Sequence, residues 1–428
     1  MNLYAPSPGA AARALVLGGG VVGLSTAWEL ARRGHPVTLA DPDPGGGASF
    51  AAAGMLAPVS EFHYQEQDLL QLTLVSAAAY PGFVRDLAAA GGTDPAYRRT
   101  PTMVVGLDSA DRAALADLAA AQRANGLEVE HLGTREARRR EPLLSPGLTS
   151  AQVAPGDHQI DPRAMVASLR AALAALPHVR TVAATAVELL HTDPADPERV
   201  TGAELRCAEL RSAERVEADE TVLAAGLGAS AVAGLPAGLD LRLRPVHGDI
   251  LRLRVPERLR PLVQHTVRGL VHGRPVYLVP REDGTVVIGA TQREDSAPGP
   301  SAGGVYELLR DAQALVPAVA ELELVEVTSR ARPGTPDNAP LLGRCRRADG
   351  SDVPGLVIAT GFFRHGVLLS PAAARICADL VEQGPLELDP HEQSPRELGS
   401  LDLAPFRPDR FSRPVLQPAR PTPARSTL

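Results

Sequence analysis

The sequence predicts an α/β fold, α+β overall, in which a parallel βαβ domain is entered, left and re-entered around a mainly antiparallel sheet. Three observations predict it. Between Leu15 and Asp41, an apolar strand runs into a glycine-rich turn, a helical pattern and a second short strand. From about residue 241 the texture changes to apolar–charged alternation at period two, as in LRLRPVHGDILRLRV, which marks a half-exposed antiparallel strand. Near the C-terminal end GLVIATG returns to a buried strand closing in glycine, and PAAARICADLV follows as a closing helix.

The first unit reads LVLGGGVVGLSTAWELARRGHPVTLAD, with Gly18, Gly20 and Gly23 in a GxGxxG frame. The first glycine makes the strand-to-helix turn, the second lets the backbone approach a pyrophosphate, and the third lets the helix pack close on the strand. The helix N-terminus then offers free N–H groups and its positive dipole end to phosphates. Val37 to Ala40 delivers Asp41, whose carboxylate is placed to accept both hydroxyls of a ribose. The acid disfavours a 2′-phosphate, so NADP fits least, while FAD and NAD both stay open on this unit alone.

The remaining elements follow in order. Residues 1–12 read as a loose leader. Residues 42–58, PDPGGGASFAAAGMLAP, are too small and glycine-rich for a packed helix start and suit backbone lying against a ligand. Residues 61–90 read as helical, Thr102 to Leu107 as a strand and 109–125 as a helix. Asp161 and Pro162 open an amphipathic helix running to about Leu176, as N-cap and first helical position. Strands are expected near 180–190, 201–207 and 215–225, the last running through TVLAAGLGAS into Gly226 and Gly228. PVYLVP, TVVIGAT and LELVEVTSRAR continue the antiparallel sheet over 241–332, interrupted by a helix at about 303–317. After about 412 the Pro- and Arg-rich tail reads as disordered. The expected organisation is therefore a discontinuous Rossmann-like domain over 1–90, 151–240 and 333–411, with a second domain over 91–150 and 241–332. NAD dehydrogenases usually keep their cofactor domain contiguous, so the split favours a flavoprotein.

Composition narrows the function classes. At 428 residues the chain can bury a large core. Its apolar runs are too short to span a bilayer, and without a charged n-region ahead of the first apolar run a signal peptide is not expected. A net charge of −7 without a basic block argues against nucleic acid as a partner. Cys207, Cys345 and Cys377 are isolated, which suggests neither a zinc site nor a disulfide framework and fits a reducing cytoplasm. All 43 Lys and Arg residues are arginine, so Schiff-base chemistry and a lysine general base are excluded.

Six separated motifs in order, GGGVVGLSTAWEL, GASFAAAGMLAP, PVHGDILRLR, YLVPREDGTVVIGAT, RPGTPDNAPLLG and GFFRHGVLLSP, resemble the D-amino-acid oxidase superfamily of FAD-dependent amine oxidases. Within it the pattern is most similar to the glycine oxidases of thiamine biosynthesis, and the likeness runs from about residue 13 to 411. The resemblance implies non-covalent FAD, a small amino acid or amine as substrate, and molecular oxygen as acceptor; a homo-oligomer is compatible with it. It implies that Gly18, Gly20, Val21, Val22, Gly23 and Asp41 hold the pyrophosphate and adenosine ribose. Ala48, Ser49, Ala53, Gly54 and Met55 would line the ribityl chain and flavin ring, and Val187 would give the adenine backbone contacts. Gly226 and Gly361 would end strands against the cofactor. Phe362, Phe363, Arg364, His365, Gly366, Val367 and Leu368 would wrap the far side of the isoalloxazine. Arg332 would pair with the substrate carboxylate, assisted by Tyr277, with Arg364 closing the pocket near the same group and Met55 touching flavin or substrate.

The chemistry is consistent with those residue types. A planar, permanently charged guanidinium can clamp a carboxylate bidentately so that the Cα–H faces the flavin. The flavin carries the reaction, and orientation is what the protein must supply. The chain also departs from the family pattern. Phe362 stands where relatives often carry His, His365 replaces a frequent Asn, and Gln292 follows GAT where an apolar residue is expected. Arg330 occupies the position of the flavin-linking cysteine of sarcosine oxidases, and the lysine credited there with oxygen activation is missing.

Overall fold

Every residue of the strand Ala14–Leu17 is buried, as only a strand covered on both faces allows. In the computed structural model, which describes residues 11–91, 93–207, 213–295, 297–382 and 401–412, this strand lies inside a six-stranded sheet. The sheet order is Leu341–Gly343, Leu356–Thr360, Glu220–Leu223, Ala14–Leu17, Val37–Ala40 and Val179–Val182. All neighbours are parallel except the first pair. Alternate side chains of the central strand go to opposite layers. Val16 packs into the core shared with the helices Val21–Arg32, Gln67–Gly91, Pro162–Ala174 and Gly366–Val381. Leu15 and Leu17 pack into the core shared with a three-stranded antiparallel sheet, Ala213–Glu217, Gly202–Cys207 and Ala184–Leu190.

The period-two segments form an eight-stranded sheet in the order Glu323–Gly334, Arg244–Arg254, Thr285–Gly289, Arg274–Pro280, Thr266–Val271, Thr102–Gly106, Ser150–Ala154 and Glu130–Leu132. Its pairs are antiparallel except Thr266–Val271 with Thr102–Gly106. Alternation again divides the faces. Leu251, Leu253, Val286 and Ile288 pack with Leu308, Ala312 and Leu315 of the helix Ala302–Leu315. Ile250, Val279 and Val287 turn the other way, toward Ala51, Ala53, Met55 and Tyr277.

Several expected elements differ in detail. The run near 180–190 is two strands, Val179–Val182 and Ala184–Leu190, which belong to different sheets. The run near 215–225 likewise divides into Ala213–Glu217 and Glu220–Leu223. The helix expected from 61 starts at Gln67, because Pro58 to Glu66 form turns. Ser150–Ala154 pairs in the eight-stranded sheet, so the sequence boundary at 151 falls inside a strand. The leader up to residue 10 and the tail from 413 lie outside the described residues.

The two large sheets are joined where Ala51 to Met55 crosses between them. Arg281, almost fully buried, donates to the carbonyls of Ala53 (2.5 Å) and Ile160 (3.0 Å) and to Gln159 Oε1 (3.1 Å). Arg163 at the start of the helix Pro162–Ala174 forks onto Glu326 of the edge strand at 2.9 and 2.6 Å.

Candidate active site

The site begins at the glycine turn. Gly18 has φ +110°, and a Cβ there would lie 2.5 Å from Ala224 O; a Cβ on Gly23 would lie 1.9 Å from Gly18 O. Strand, turn and helix therefore approach more closely than side chains permit. Gly20 is the N-cap of Val21–Arg32 without a side-chain cap, and Val21 N donates to Ser49 Oγ at 3.0 Å. Asp41 accepts from Gly19 N (2.5 Å) and Asp43 N (2.7 Å), which orients its carboxylate and leaves it further acceptor capacity.

From this turn a cavity of about 900 Å³ runs to the face of the antiparallel sheet. That volume lies at the upper end for small-molecule and cofactor sites. Gly18, Gly20, Val21, Val22 and Asp41 line one end. Ala48, Ser49, Ala53, Gly54 and Met55 line its length, with Gly226, Gly361, Phe362, Phe363, Gly366 and Val367 opposite. Tyr277, Arg332 and Arg364 line the other end.

Four expected residues do not line it. Gly23 lies one layer behind, where its missing side chain lets the helix touch the strand. Val187 sits in the three-stranded sheet, and its carbonyl accepts from Ala233 N, so that oxygen is already engaged. Leu368 is buried in the helix-side core, its carbonyl taken by Ser76 Oγ. His365 is buried behind Phe362 to Arg364, with no hydrogen bond from either ring nitrogen to a described residue.

Arg332 stands in the edge strand Glu323–Gly334, opposite Val246. Its guanidinium lies flat over Gly248: a Cβ on that glycine would come 2.3 Å from Nη1. Nη1 donates to Thr291 O at 3.3 Å. Tyr277 lies on the strand Arg274–Pro280 with its hydroxyl over Gly289, where a Cβ would be 2.3 Å away. Burial pushes the phenol up to about 12, so it stays a neutral donor. Arg364 reaches the cavity but is ion-paired with Glu66 at 2.6 Å and stacked near Phe363, so its charge is already compensated.

Sequence reasoning missed Glu61 and Arg268. Arg268 is the cross-strand neighbour of Tyr277 and lines the cavity, with Nη1 2.5 Å from Glu61 Oε1 and 3.9 Å from Met55 Sδ. Burial alone would raise the Glu61 carboxyl, but the guanidinium groups of Arg268 and Arg364 hold it below the usual carboxylate range. Arg244 at the rim pairs with Glu294 and with Asn338 Oδ1 (3.1 Å). No short motif marks these residues, because each pair joins distant parts of the chain.

The donor set fits an adenine dinucleotide with an additional ring system. A glycine cradle meets a helix N-terminus at one end, and an oriented carboxylate stands beside it. A run of Gly and Ala gives close backbone access along the cavity, and at the far end lies the Arg332 guanidinium, which has no carboxylate partner among the described residues. Among the described residues no His, Cys, Asp or Glu group could hold a metal ion, and no helix is long and apolar enough to cross a membrane.

Comparison with known proteins agrees. The family model described as FAD dependent oxidoreductase (DAO) matches residues 13–380. Glycine oxidase from Geobacillus kaustophilus is 32% identical over 398 residues, covering 91% of this chain and 95% of the relative. The putative thiamine biosynthesis oxidoreductase ThiO of Rhizobium etli is 31% identical over 385 residues, covering 87% and 98%. The crystal structure of the Geobacillus glycine oxidase superposes with a TM-score of 0.79 at 31% identity, covering 93% of this chain and 98% of that one. The chain belongs to the DAO family of FAD-dependent oxidoreductases, and its cofactor is FAD.

Proposed function

We propose that the chain oxidises glycine or a similarly small amino acid or secondary amine, giving an imine that hydrolyses to the oxo acid and ammonia, with hydrogen peroxide formed from oxygen. One observation carries the reading: Arg332 is laid flat over Gly248 without a carboxylate partner among its described contacts, beside the neutral Tyr277 hydroxyl, at the end of the cavity away from the glycine turn. A substrate carboxylate pairs bidentately with that guanidinium and accepts from the phenol. This fixes the Cα–H relative to the cofactor and removes most of the orientational freedom that an unaligned encounter would retain. FAD, when bound, supplies the two-electron acceptor. Val21, Val22, Asp41 and Ser49 hold its diphosphate and ribose end, and the Ala53–Met55 turn with Phe362 and Phe363 bounds the ring. Arg330 donates to Gly46 O (3.0 Å) and supplies no thiol, which supports non-covalent flavin. The relatives named as glycine oxidase and as a thiamine biosynthesis oxidoreductase support a role in forming the thiazole of thiamine.

The test is anaerobic mixing of purified protein with a panel of small amines while flavin absorbance is followed, then admission of air. Glycine bleaches the flavin, and air restores colour with peroxide formed one for one. Bleaching by glycine without oxygen uptake would replace the oxidase with a dehydrogenase that uses another acceptor. Arg332→Leu keeps its flavin and loses at least about 100-fold in turnover, the scale of a lost charge-assisted bidentate contact; unchanged turnover would remove the clamp.

A further inference from the structure

Glu61 faces two spaces. On one side it lines the main cavity with Arg268, Tyr277, Met55 and Arg332. On the other it lines a small chamber of about 10 Å³ with His365, and with His63 and Glu66, which line the main cavity as well. That is about the least room one water needs; Pro58, Phe62, Leu69 and Leu70 make much of its wall, and Glu61, His63, Glu66, Thr73 and His365 are the polar residues on it. Glu61 Oε1 is held by Arg268, while Oε2 lies 3.7 Å from His365 Nδ1. His365 is 3% exposed and neither ring nitrogen has a described hydrogen-bond partner, a costly arrangement for a polar ring unless the chamber supplies one. The loop carrying Glu61 is pinned by Asp157, which accepts from Val59 N (3.0 Å) and Ser60 N (3.2 Å).

An amino acid arrives as a zwitterion. Arg332 takes the carboxylate, but the ammonium has no lone pair with which to form a C=N bond. One proton must leave nitrogen before the adjacent C–H can leave as hydride. Of the acidic residues on the cavity wall, Asp41 and Asp43 stand at the dinucleotide turn, and Glu66, Glu294 and Glu61 are each paired with an arginine, but the Glu61–Arg268 pair is the one that stands beside Met55 and Tyr277. Resting on the amine-oxidase reading above, we infer that Glu61 receives the substrate ammonium and is the first acceptor of its proton, which leaves by way of the chamber past His365 to the exposed His63.

The step balances. An N–H bond breaks and an O–H bond forms on Glu61. The nitrogen lone pair makes the C=N bond as the C–H bond breaks, and its electron pair reduces FAD by two electrons. Glu61 then returns its proton through the chamber. Every charged or titratable neighbour bears on this. Arg268 and Arg364 keep Glu61 ionised at rest, while Tyr277 stays neutral. Burial, then Arg364, pushes His365 down to about 3 and also lowers His63, so both rings rest neutral. Burial pushes Asp157 up to about 6, against its backbone bonds, so it adds negative charge beside the loop only above that pH. Arg332 disfavours the ammonium while Arg268 lowers the proton affinity of Glu61, so the transfer is uphill and is drawn forward as the hydride step consumes the free amine.

The experiment compares wild type with Glu61→Gln and Glu61→Asp, all loaded with FAD, in anaerobic stopped flow with glycine from pH 6.5 to 9.5, as about a three-unit span. Glu61→Gln lowers the flavin-reduction rate about 100-fold at neutral pH, the usual contribution of a positioned proton acceptor. Its rate then climbs about tenfold per pH unit as free amine accumulates in solution. Wild type is much flatter, and Glu61→Asp recovers part of the rate. Acetate, which has no ammonium, perturbs the flavin spectrum of Glu61→Gln and wild type at similar concentrations, because the Arg332 clamp is intact. A wild-type rate and pH profile in Glu61→Gln overturns the inference, as does equal loss of acetate binding, which would make Glu61 merely structural. If wild type itself is bleached by no small amino acid, the amine-oxidase reading falls and takes this one with it. That result is distinct, because it appears before any variant is measured.

Discussion

Gly248 and Arg332 form a single unit. The guanidinium lies over the glycine so closely that a Cβ at 248 would sit 2.3 to 2.5 Å from three of its atoms. Gly248→Ala therefore moves the guanidinium without changing its charge. The expected result is a rise in the glycine KM of about tenfold or more with flavin content unchanged, since small misplacements of a positioning group cost large factors. An unchanged KM would mean that the position of Arg332 does not matter. Tyr277 makes a separate prediction about pH. Its phenol titrates near 12 because burial disfavours the anion, so Tyr277→Phe raises KM but leaves the alkaline side of the kcat/KM profile below about pH 10 where it was. A vanished limb in the variant would contradict that. Arg332 and Tyr277 could be singled out from sequence because each stands in a motif of fixed order, and the structure puts both on the cavity wall. Glu61 and Arg268 were not, since they are 207 positions apart in sequence and meet only when the strand Thr266–Val271 pairs beside Tyr277. Val187 and Leu368 were read from motif position, which does not show which wall a side chain or carbonyl faces.

Individual elements are held in register by pairs that cross layers, and Arg163 with Glu326 is a clear case. The helix Pro162–Ala174 and the edge strand Glu323–Gly334 meet through this fork and its neighbours Thr328 and Phe50. The Arg163 side chain, then Thr328, holds the Glu326 carboxyl down at about 2, with burial opposing. The folded value is below the unfolded one, so the pair's contribution is present above about pH 4.5 and is lost as pH falls toward about 2. Glu326→Gln should cost about 1 kcal/mol at pH 7, modest because both partners are part-exposed. The difference from wild type should shrink in acid denaturation series, and a constant difference down to pH 2 would refute the assignment. At this scale the alternation from 241 to 332 was readable, because one face of that sheet is packed on a helix and the other on the cavity. The divisions within 179–190 and 213–223 were not readable. Both halves of each run are β-forming, and what separates them is a change of sheet partner, which leaves no periodic trace.

At the scale of the whole molecule the two large sheets share one cavity, and the cofactor should therefore act as a staple between them. The glycine turn and Asp41 belong to the six-stranded sheet, while Tyr277 and Arg332 belong to the eight-stranded one. A dinucleotide whose second half is a flavin presents a tricyclic ring to the second set of walls, whereas one with a nicotinamide presents a single ring. Ligand that binds only the folded state stabilises it by RT ln(1 + [L]/Kd), about 2.7 kcal/mol at a hundredfold excess over Kd. For a chain of this size that is a rise of several degrees in unfolding midpoint, at about 2–4 °C per kcal/mol for somewhat smaller proteins. Flavin-stripped protein should show that rise with FAD and a much smaller one with NAD at the same concentration. Asp41→Asn should reduce the FAD shift, because an amide cannot accept from both Gly19 N and Asp43 N and still serve a ribose. Arg332→Leu should leave the shift intact, since it touches the substrate end alone. Equal stabilisation by NAD and FAD would mean that only the adenosine half is gripped, and the flavin would then have no structural part in holding the two sheets together.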